Sequence, residues 1–323
     1  MSGLADPAGL ASPTGPSGPA SSTGQRLRHL PRGIWGLLAT PFTEGGDVDE
    51  ESLVRLVEYY GRLDLSGMTL LGVFGEAADL TPDERRRVVA LVRERAPGAR
   101  LVIGVTALGT EDAIAEIRNV EKVAGDAVDS YLVQLNSADP GEVVAHYRRL
   151  HEATGARIVA QDYPAVSSVH MGREDLLTVV REAAMVSAVK LESVPTPGKV
   201  AYLSAGADVP VFGGLGGSYL LDELECGAAG AMTGFTAPEG LIACWRAYLD
   251  GGFTAAAEAW APYLPLVNFE FQPGLARTLR KEGFRARGLF TTSVSRTGAA
   301  EPTEELRRLV LMHHARLPGR SAG

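Results

Sequence analysis

The sequence predicts an α/β fold, a TIM (β/α)8 barrel that is followed by a C-terminal helical extension. Three observations support it: eight short apolar runs recur along the chain, an amphipathic segment follows each run, and the last part of the chain carries helical patterns alone. Alternating strands and helices are typical of a parallel sheet, and eight such units can close it into a barrel. An open doubly wound sheet is the alternative, but it favours a GxGxxG motif after the first strand, where the sequence has none.

The eight apolar runs are rich in Val, Leu, Ile and Ala, as expected for strands that are buried on both faces. Because each run is followed by a helical pattern, we expect the strands to be parallel neighbours. The predicted strands are Ile34–Phe42, Met68–Val73, Leu101–Val105, Ser130–Leu135, Arg157–Tyr163, Ser187–Ser193, Val209–Gly214 and Gly230–Phe235.

The segments between the runs have the periodicity or the capping signals of helices. Glu50–Leu63 places Leu53, Leu56 and Val57 on one helical face. Thr81–Arg95 opens with Thr-Pro-Asp-Glu, which predicts an N-cap threonine and a capping box. The other predicted helices are Thr110–Ala124, Gly141–Ala153, Arg173–Ala184, Gly198–Gly206, Ser218–Cys226 and Pro238–Asp250 in the barrel, and Phe253–Asn268, Pro273–Glu282 and Glu301–His314 in the extension.

These patterns divide the chain into three parts. Residues 1–30 are rich in Pro, Gly and Ser and have few large apolar groups, so we expect a disordered tail. The tail lacks the basic start and the apolar stretch of a secretory signal. Residues 31–252 are expected to form the barrel, and residues 253–323 the helical extension.

Composition excludes several function classes. The chain has 323 residues and a net charge of −8, which argues against nucleic acid as a partner. No apolar run approaches the roughly 20 residues that span a bilayer. The two cysteines, Cys226 and Cys244, lack the spacing of a zinc site, and reduced thiols suit a cytoplasmic protein. We therefore expect no membrane contact, no metal and a cytoplasmic location.

Only four of the 31 basic residues are lysines, and one of them lies in a predicted strand. Lys122 lies in a helix, Lys199 at a helix start and Lys281 in the extension, so we expect all three to be solvated. Lys190 lies within the sixth apolar run. A charged amine is costly in such a place, and burial favours the neutral amine, which can attack a carbonyl to form a Schiff base. A structural lysine that is paired with a carboxylate is the alternative.

Polar residues near the expected mouth of the barrel could assist this amine. Glu192 shares a strand face with Lys190, so it is either a partner for the amine or an acid/base group. On the fifth strand, Gln161 and Tyr163 share one face and Asp162 takes the other. Tyr163 is a candidate proton donor, with packing at the barrel rim as the alternative.

Two glycine-rich turns are also expected at the mouth. Gly72–Ala78 and Gly213–Gly217 follow the second and seventh strands. Exposed N–H groups in the first turn could hold a carboxylate, although an ordinary turn remains the alternative. The second turn is at a position where barrels often bind phosphate, but it contains no Lys or Arg.

In combination these residues resemble the dihydrodipicolinate synthase / N-acetylneuraminate lyase family of class I aldolases, from Gly33 to about residue 315. The resemblance is carried by Gly36-Leu-Leu-Ala-Thr-Pro-Phe42, Gly46-Asp-Val-Asp49, Gly72-Val-Phe-Gly-Glu76, Leu80-Thr-Pro-Asp-Glu-Arg85, Val189-Lys190, Gly227-Ala-Ala-Gly-Ala-Met-Thr-Gly234 with Pro238, and Gln272-Pro-Gly274. It implies an imine on Lys190, a pyruvate-type 2-oxo acid with or without an aldehyde, no separate cofactor and a homo-oligomer (dimer or tetramer). The expected site has Lys190, Tyr163 and Glu192 as catalytic residues, and Thr40, Val73, Phe74, Gly75, Gln161, Gly214 and Thr233 as substrate-binding residues.

The sequence also departs from the family pattern. Val73 and Phe74 replace the two hydroxyl residues of the family's carboxylate-binding turn, and the family's catalytic Tyr falls on Gln161. The Arg that dihydrodipicolinate synthases carry falls on Val166, and no Tyr occupies 136–138, where the relay Tyr from a neighbouring subunit would fall. We therefore expect a Schiff-base lyase other than a dihydrodipicolinate synthase or a sialic acid lyase. An impaired barrel that binds a ligand or assembles with a partner is one alternative, and a 2-oxo acid dehydratase or decarboxylase is the other.

Overall fold

The computed structural model describes residues 29–296 and 301–319. The expected disorder of the tail lies almost entirely outside the described residues. Eight strands form one closed parallel barrel in chain order, and β1 also pairs with β8, which confirms the predicted fold class. The strands are β1 (Gly33–Leu37), β2 (Gly67–Leu70), β3 (Leu101–Val105), β4 (Val128–Gln134), β5 (Ile158–Asp162), β6 (Val186–Leu191), β7 (Val211–Gly213) and β8 (Gly230–Thr233).

Helices surround the barrel and continue beyond it. Those of the barrel are α1 (Glu50–Gly61), α2 (Pro82–Arg95), α3 (Thr110–Ala124), α4 (Pro140–Thr154), α5 (Pro164–Ser167), α6 (Arg173–Glu182), α7 (Thr196–Gly206), α8 (Leu220–Glu225) and α9 (Pro238–Trp260). Those of the extension are α10 (Leu264–Glu270), α11 (Ala276–Ala286) and α12 (Glu304–Ala315). None of the helices in the described part is long and apolar enough to cross a membrane.

Local signals explain where several elements begin, end or are interrupted. Thr81 accepts from the Glu84 N–H while the Glu84 carboxylate accepts from the Thr81 N–H, so the predicted capping box starts α2. The first strand is shorter than predicted and ends at Leu37, four residues before Pro41, which has no N–H to donate. Gly252 interrupts α9 with φ 68°, a conformation that glycine adopts readily.

The lower half of the barrel is filled with apolar side chains. Leu30 belongs to the same buried cluster, and its N–H donates to the Ser187 carbonyl of β6 at 3.4 Å. The other side chains in this cluster are Trp35, Val102, Leu132, Val159, Ala188, Phe212, Ala229 and Met232. The polar residues of β5 and β6 lie near the opposite end, where the strands of a barrel present their functional groups.

The extension lies over that opposite end and is tied to it by charged pairs. Arg296 donates to both oxygens of Glu84, and Lys281 of α11 pairs with Glu76 in the turn after β2. Because α11 is anchored in this way, two further side chains of the same helix, Arg277 and Arg280, reach the mouth of the barrel.

Candidate active site

Lys190 and Glu192 form an ion pair inside the mouth of the barrel. Lys190 Nζ lies 2.9 Å from Glu192 Oε2, and Lys190 is only 3% exposed. Gln161 pairs with Lys190 in the β5–β6 register, and its Nε2 donates to the same Glu192 oxygen at 2.7 Å. An amine, an amide and a carboxylate therefore share one small volume.

These groups line a cavity of about 180 Å³, which is of the size that a small organic acid needs. Leu37, Leu215, Gly216, Gly234, Phe271, Ala276, Arg277 and Arg280 also line it. Seven of the predicted site residues contribute to the wall: Lys190, Tyr163, Glu192, Val73, Phe74, Gln161 and Thr233.

The other three predicted site residues do not line the cavity. Thr40 donates its hydroxyl to the Gly75 carbonyl at 2.7 Å, so it holds the turn after β2 in place. Gly214 makes room for Glu192, since a Cβ at 214 would lie 2.5 Å from the Glu192 Cγ. All three, Thr40, Gly75 and Gly214, are thus placed to support groups of the wall.

The turn after β2 is a single 3-10 turn, Val73–Gly75, and it has already used part of its hydrogen-bonding capacity. The Gly75 N–H donates to the Gly72 carbonyl at 2.9 Å, and the Glu76 N–H donates to the Val73 carbonyl at 3.1 Å. For a ligand the predicted carboxylate-binding turn therefore keeps at most the N–H groups of Val73 and Phe74.

Phe74 fills the space beside this turn with an aromatic ring. The ring packs directly on the Gly234 backbone, where an added Cβ would meet it at 2.5 Å. Its centroid lies 6.4 Å from that of Phe284. The Phe74 side chain thus makes this side of the cavity apolar, as its sequence position suggests.

The sequence did not predict Arg280 as a residue of the site, although it lines the cavity. Its guanidinium carbon lies 5.2 Å from the Phe74 ring centroid and 5.8 Å from that of Phe271, distances at which a cation is attracted to a ring face. Burial lowers the pKa of the guanidinium from its usual value. The spacing of Arg277, Arg280 and Lys281 places them on one side of a helix, which was the only available signal.

Tyr163 and Thr233 complete the polar wall. Burial, and then the charge of Glu192, raise the pKa of the Tyr163 phenol, so it remains a proton donor at neutral pH. The Thr233 hydroxyl accepts from the Gly216 N–H at 2.8 Å and so fixes the glycine-rich turn after β7. His170, in contrast, is exposed and lies outside the cavity wall.

The expectation that Lys199 and Lys281 are solvated is wrong. Lys281 is fully buried, pairs with Glu76, and donates to the Val294 carbonyl at 2.7 Å. Lys199 pairs with Asp162, which lies on the outer face of β5 as predicted. Each of these two amines pairs with a carboxylate that is remote in sequence. The pairing offsets part of the free-energy cost of burying the charged amine. Lys122 is exposed, and Lys190 alone of the four lysines lines the cavity.

The described residues contain no group of His, Cys, Asp and Glu side chains that could hold a metal ion. Within that part of the chain, the polar groups of the candidate site are an amine, a carboxamide, a carboxylate, a phenol, a hydroxyl and two guanidinium groups.

Comparison with known proteins shows the family of this chain. A model of the dihydrodipicolinate synthetase family matches residues 30–313, which is most of the chain. The chain belongs to the dihydrodipicolinate synthetase family. This confirms the resemblance that the sequence motifs indicated.

Two curated members of the dihydrodipicolinate synthetase family show the range of reactions near this chain. It is 28% identical over 244 residues to the 4-hydroxy-tetrahydrodipicolinate synthase of Methanothrix thermoacetophila, covering 74% of this chain and 82% of that protein. It is also 28% identical over 262 residues to the L-2-keto-3-deoxyarabonate dehydratase of Azospirillum brasilense, covering 78% and 84%. The two relatives are equally distant, so identity does not favour one reaction.

Solved structures of the dihydrodipicolinate synthetase family have the same fold. The dihydrodipicolinate synthase from Rhodopseudomonas palustris superposes with a TM-score of 0.81 at 28% identity, covering 88% of this chain and 97% of that one. A dihydrodipicolinate synthase from Thermotoga maritima gives a TM-score of 0.78 at 22% identity and so supports the fold alone.

Proposed function

We propose that this protein is a class I lyase in which Lys190 forms an imine with the carbonyl carbon of a pyruvate-type 2-oxo acid. The observation that carries the proposal is the contact of Lys190 Nζ with Glu192 Oε2, at 2.9 Å within the cavity. No separate cofactor is required, because the protonated imine is itself the electron sink.

In this proposal the Glu192 carboxylate carries both proton transfers of imine formation. It takes a proton from the Lys190 ammonium, and the neutral amine then attacks the carbonyl carbon to give a carbinolamine. Glu192 returns the proton to the carbinolamine hydroxyl, which leaves as water while the C=N bond forms. Gln161 donates to the same carboxylate oxygen and keeps it oriented toward the amine.

The imine then stabilises the electron pair of a bond broken next to it. Cleavage of a carbon–carbon bond gives an enamine and an aldehyde, and loss of a hydroxyl group gives a dehydration product. Tyr163 lines the cavity and supplies or accepts the proton of this later step, because Gln161 cannot shuttle a proton as a phenol can.

We propose a reaction other than dihydrodipicolinate synthesis. Gln161 stands where the family resemblance places the catalytic Tyr, and Val166, where the resemblance places an Arg, is an exposed apolar side chain. A dehydratase that uses the same imine is the second candidate, since one of the two equally distant relatives is an L-2-keto-3-deoxyarabonate dehydratase. Product analysis separates carbon–carbon cleavage from dehydration and decarboxylation.

The experiment is borohydride trapping of the protein with pyruvate, followed by intact mass and peptide mapping. We expect one adduct, on Lys190, that is absent from Lys190→Arg, in which the charge is kept but an imine cannot form. Lys199→Arg is the matched control and should retain the adduct. No adduct with any 2-oxo acid, or an adduct that survives Lys190→Arg, would overturn the proposal.

A barrel that binds a ligand without turnover is the alternative that the missing Tyr raises. Release of product from any member of a panel of 2-oxo acids and 2-oxo sugar acids would reject it. We further propose that the protein is a cytoplasmic homo-oligomer, a dimer or a tetramer. Sedimentation velocity measures this state, and a monomer at micromolar concentration would contradict it.

A further inference from the structure

Arg280 is a buried cation in the wall of the cavity. It is 8% exposed, and within the described residues its Nε has no hydrogen-bond partner. Burying a charged group is costly unless a partner compensates for the lost water. The rings of Phe74 and Phe271 attract the cation, but they accept no N–H bond of ordinary strength.

The carboxylates near Arg280 have other partners. Glu192 is bonded to Lys190 and Gln161. Glu270 accepts from the Thr236 hydroxyl and N–H, and burial raises its pKa to about 7, so part of it is protonated at neutral pH. Arg280 also lines the cavity directly. An anion in the cavity is therefore the group that would satisfy it.

The position of Arg280 indicates which anion this is. The guanidinium lies over Phe74, on the turn where the family resemblance places two hydroxyl residues that bind the carboxylate. Here these hydroxyls are absent, and the Gly75 N–H is used within the turn. The turn therefore has no side-chain hydroxyl donors, and the guanidinium of Arg280 on α11 lies beside it.

We propose that Arg280 binds the carboxylate of the 2-oxo acid and replaces the missing hydroxyls as its anchor. A guanidinium suits this task because it can donate two parallel N–H bonds to a planar carboxylate. The anchor comes from the extension, and it selects substrates that carry a carboxylate next to the carbonyl. The inference rests on the proposed function, since it names the group that orients the substrate toward Lys190.

The first test compares pyruvate with pyruvamide, its neutral amide, in the borohydride trapping assay. We expect Arg280→Gln to raise the half-saturating concentration of pyruvate by about 10- to 100-fold, as expected for a lost charge-assisted hydrogen bond, and to leave that of pyruvamide within about threefold. Arg308→Gln, an exposed change on α12 of the same extension and outside the cavity wall, is the matched control and should behave as the wild type. Equal half-saturation of Arg280→Gln and wild type by pyruvate would overturn the inference.

The second test is independent of imine formation. Oxamate has the shape and charge of pyruvate but a carbonyl that does not react with an amine, and calorimetry measures its binding. We expect binding to wild type, and at least about tenfold weaker binding to both Arg280→Lys and Arg280→Gln. Oxamate binding that is equal in all three, or absent from wild type, would overturn the anchor. Binding without an adduct in the trapping assay would instead overturn the proposed function alone. Circular dichroism checks folding, and Arg280→Lys keeps the test valid should Arg280→Gln unfold.

Discussion

Glu192 Oε2 accepts two contacts at once, from Lys190 Nζ at 2.9 Å and from Gln161 Nε2 at 2.7 Å. The carboxylate thus lies between the amine on β6 and the amide on β5. A lysine that only stabilised the barrel would need the same pair, so the geometry must be tested through rates as well as through stability.

The first prediction concerns proton transfer by Glu192. Glu192→Gln keeps the shape but removes the base, and we expect the rate of imine formation to fall by about 10²- to 10⁴-fold at saturating pyruvate. Quenched-flow borohydride trapping measures this rate. Glu225→Gln, an exposed change on α8, is the control. A folded Glu192→Gln that reacts at the wild-type rate would leave Glu192 with a structural role only.

The second prediction separates Tyr163 from imine formation. Tyr163→Phe removes the phenol but retains the ring, so the adduct with pyruvate should form as before. Turnover of the full substrate should fall by about 10²-fold, because the later proton transfer loses its donor. Single-turnover product assays measure it. An unchanged turnover would assign the proton transfer to water or to Glu192.

The third prediction uses the space that Gly214 leaves for Glu192. In Gly214→Ala the new Cβ would lie 2.5 Å from the Glu192 Cγ and must displace that side chain. A displacement of about 1 Å in a catalytic group can cost about 10²-fold in rate, and we expect a loss of that order. The control is Gly198→Ala, whose added Cβ meets no atom within 4 Å. The variant is informative only if thermal unfolding shows that it is folded, and a normal rate would then argue against the positioning role.

The fourth prediction concerns Lys281, the second buried amine. Lys281→Met removes the amine that pairs with the buried Glu76 carboxylate but leaves Arg277, at 3.6 Å, as a charged partner, so it should lower the free energy of unfolding by about 1–3 kcal/mol. Adding Glu76→Gln should recover part of this loss, because it removes a buried charge that has lost one of its partners. Lys281→Met should still form the Lys190 adduct, and Lys122→Met should change stability by less than about 0.5 kcal/mol. Urea unfolding gives these free energies.

The fifth prediction is a pH dependence of stability from Glu223. This residue is 1% exposed, and burial raises its pKa from 4.5 to about 7 although the Thr196 hydroxyl donates to it at 2.5 Å. Between pH 4.5 and about 7 the unfolded chain releases this proton while the folded protein keeps it. Stability is therefore highest below pH 4.5 for this group and falls as the pH rises to about 7.

Glu223→Gln should remove this part of the pH dependence. The free energy of unfolding of the variant relative to wild type should increase by about 3 kcal/mol between pH 4.5 and pH 7.5. Comparing two pH values cancels any effect of the substitution that does not depend on pH. The pKa of Glu270 is also raised to about 7, but Glu270 is present in both proteins, so its contribution cancels as well. Parallel stability curves for the two proteins would contradict the prediction.

Periodicity predicted much of the fold because its signals are local. Eight buried runs and the helices between them determine the barrel, and Lys190 was placed correctly within β6. Boundaries were less accurate where the backbone leaves the sheet but stays buried. Leu38 and Ala39 are as buried as strand residues, so composition could not show that β1 ends at Leu37.

The sequence by itself determined the barrel, the single amine in its wall and the shared face of Lys190 and Glu192, because strand periodicity acts between neighbouring residues. Only the tertiary structure shows that Lys190 and Glu192 form an ion pair, that Lys281 is buried and paired with Glu76, and that Arg280 lines the cavity. The partners in the last two cases are remote along the chain. Their contacts depend on how the extension closes over the barrel mouth, and that packing is set by long-range burial that no local pattern records.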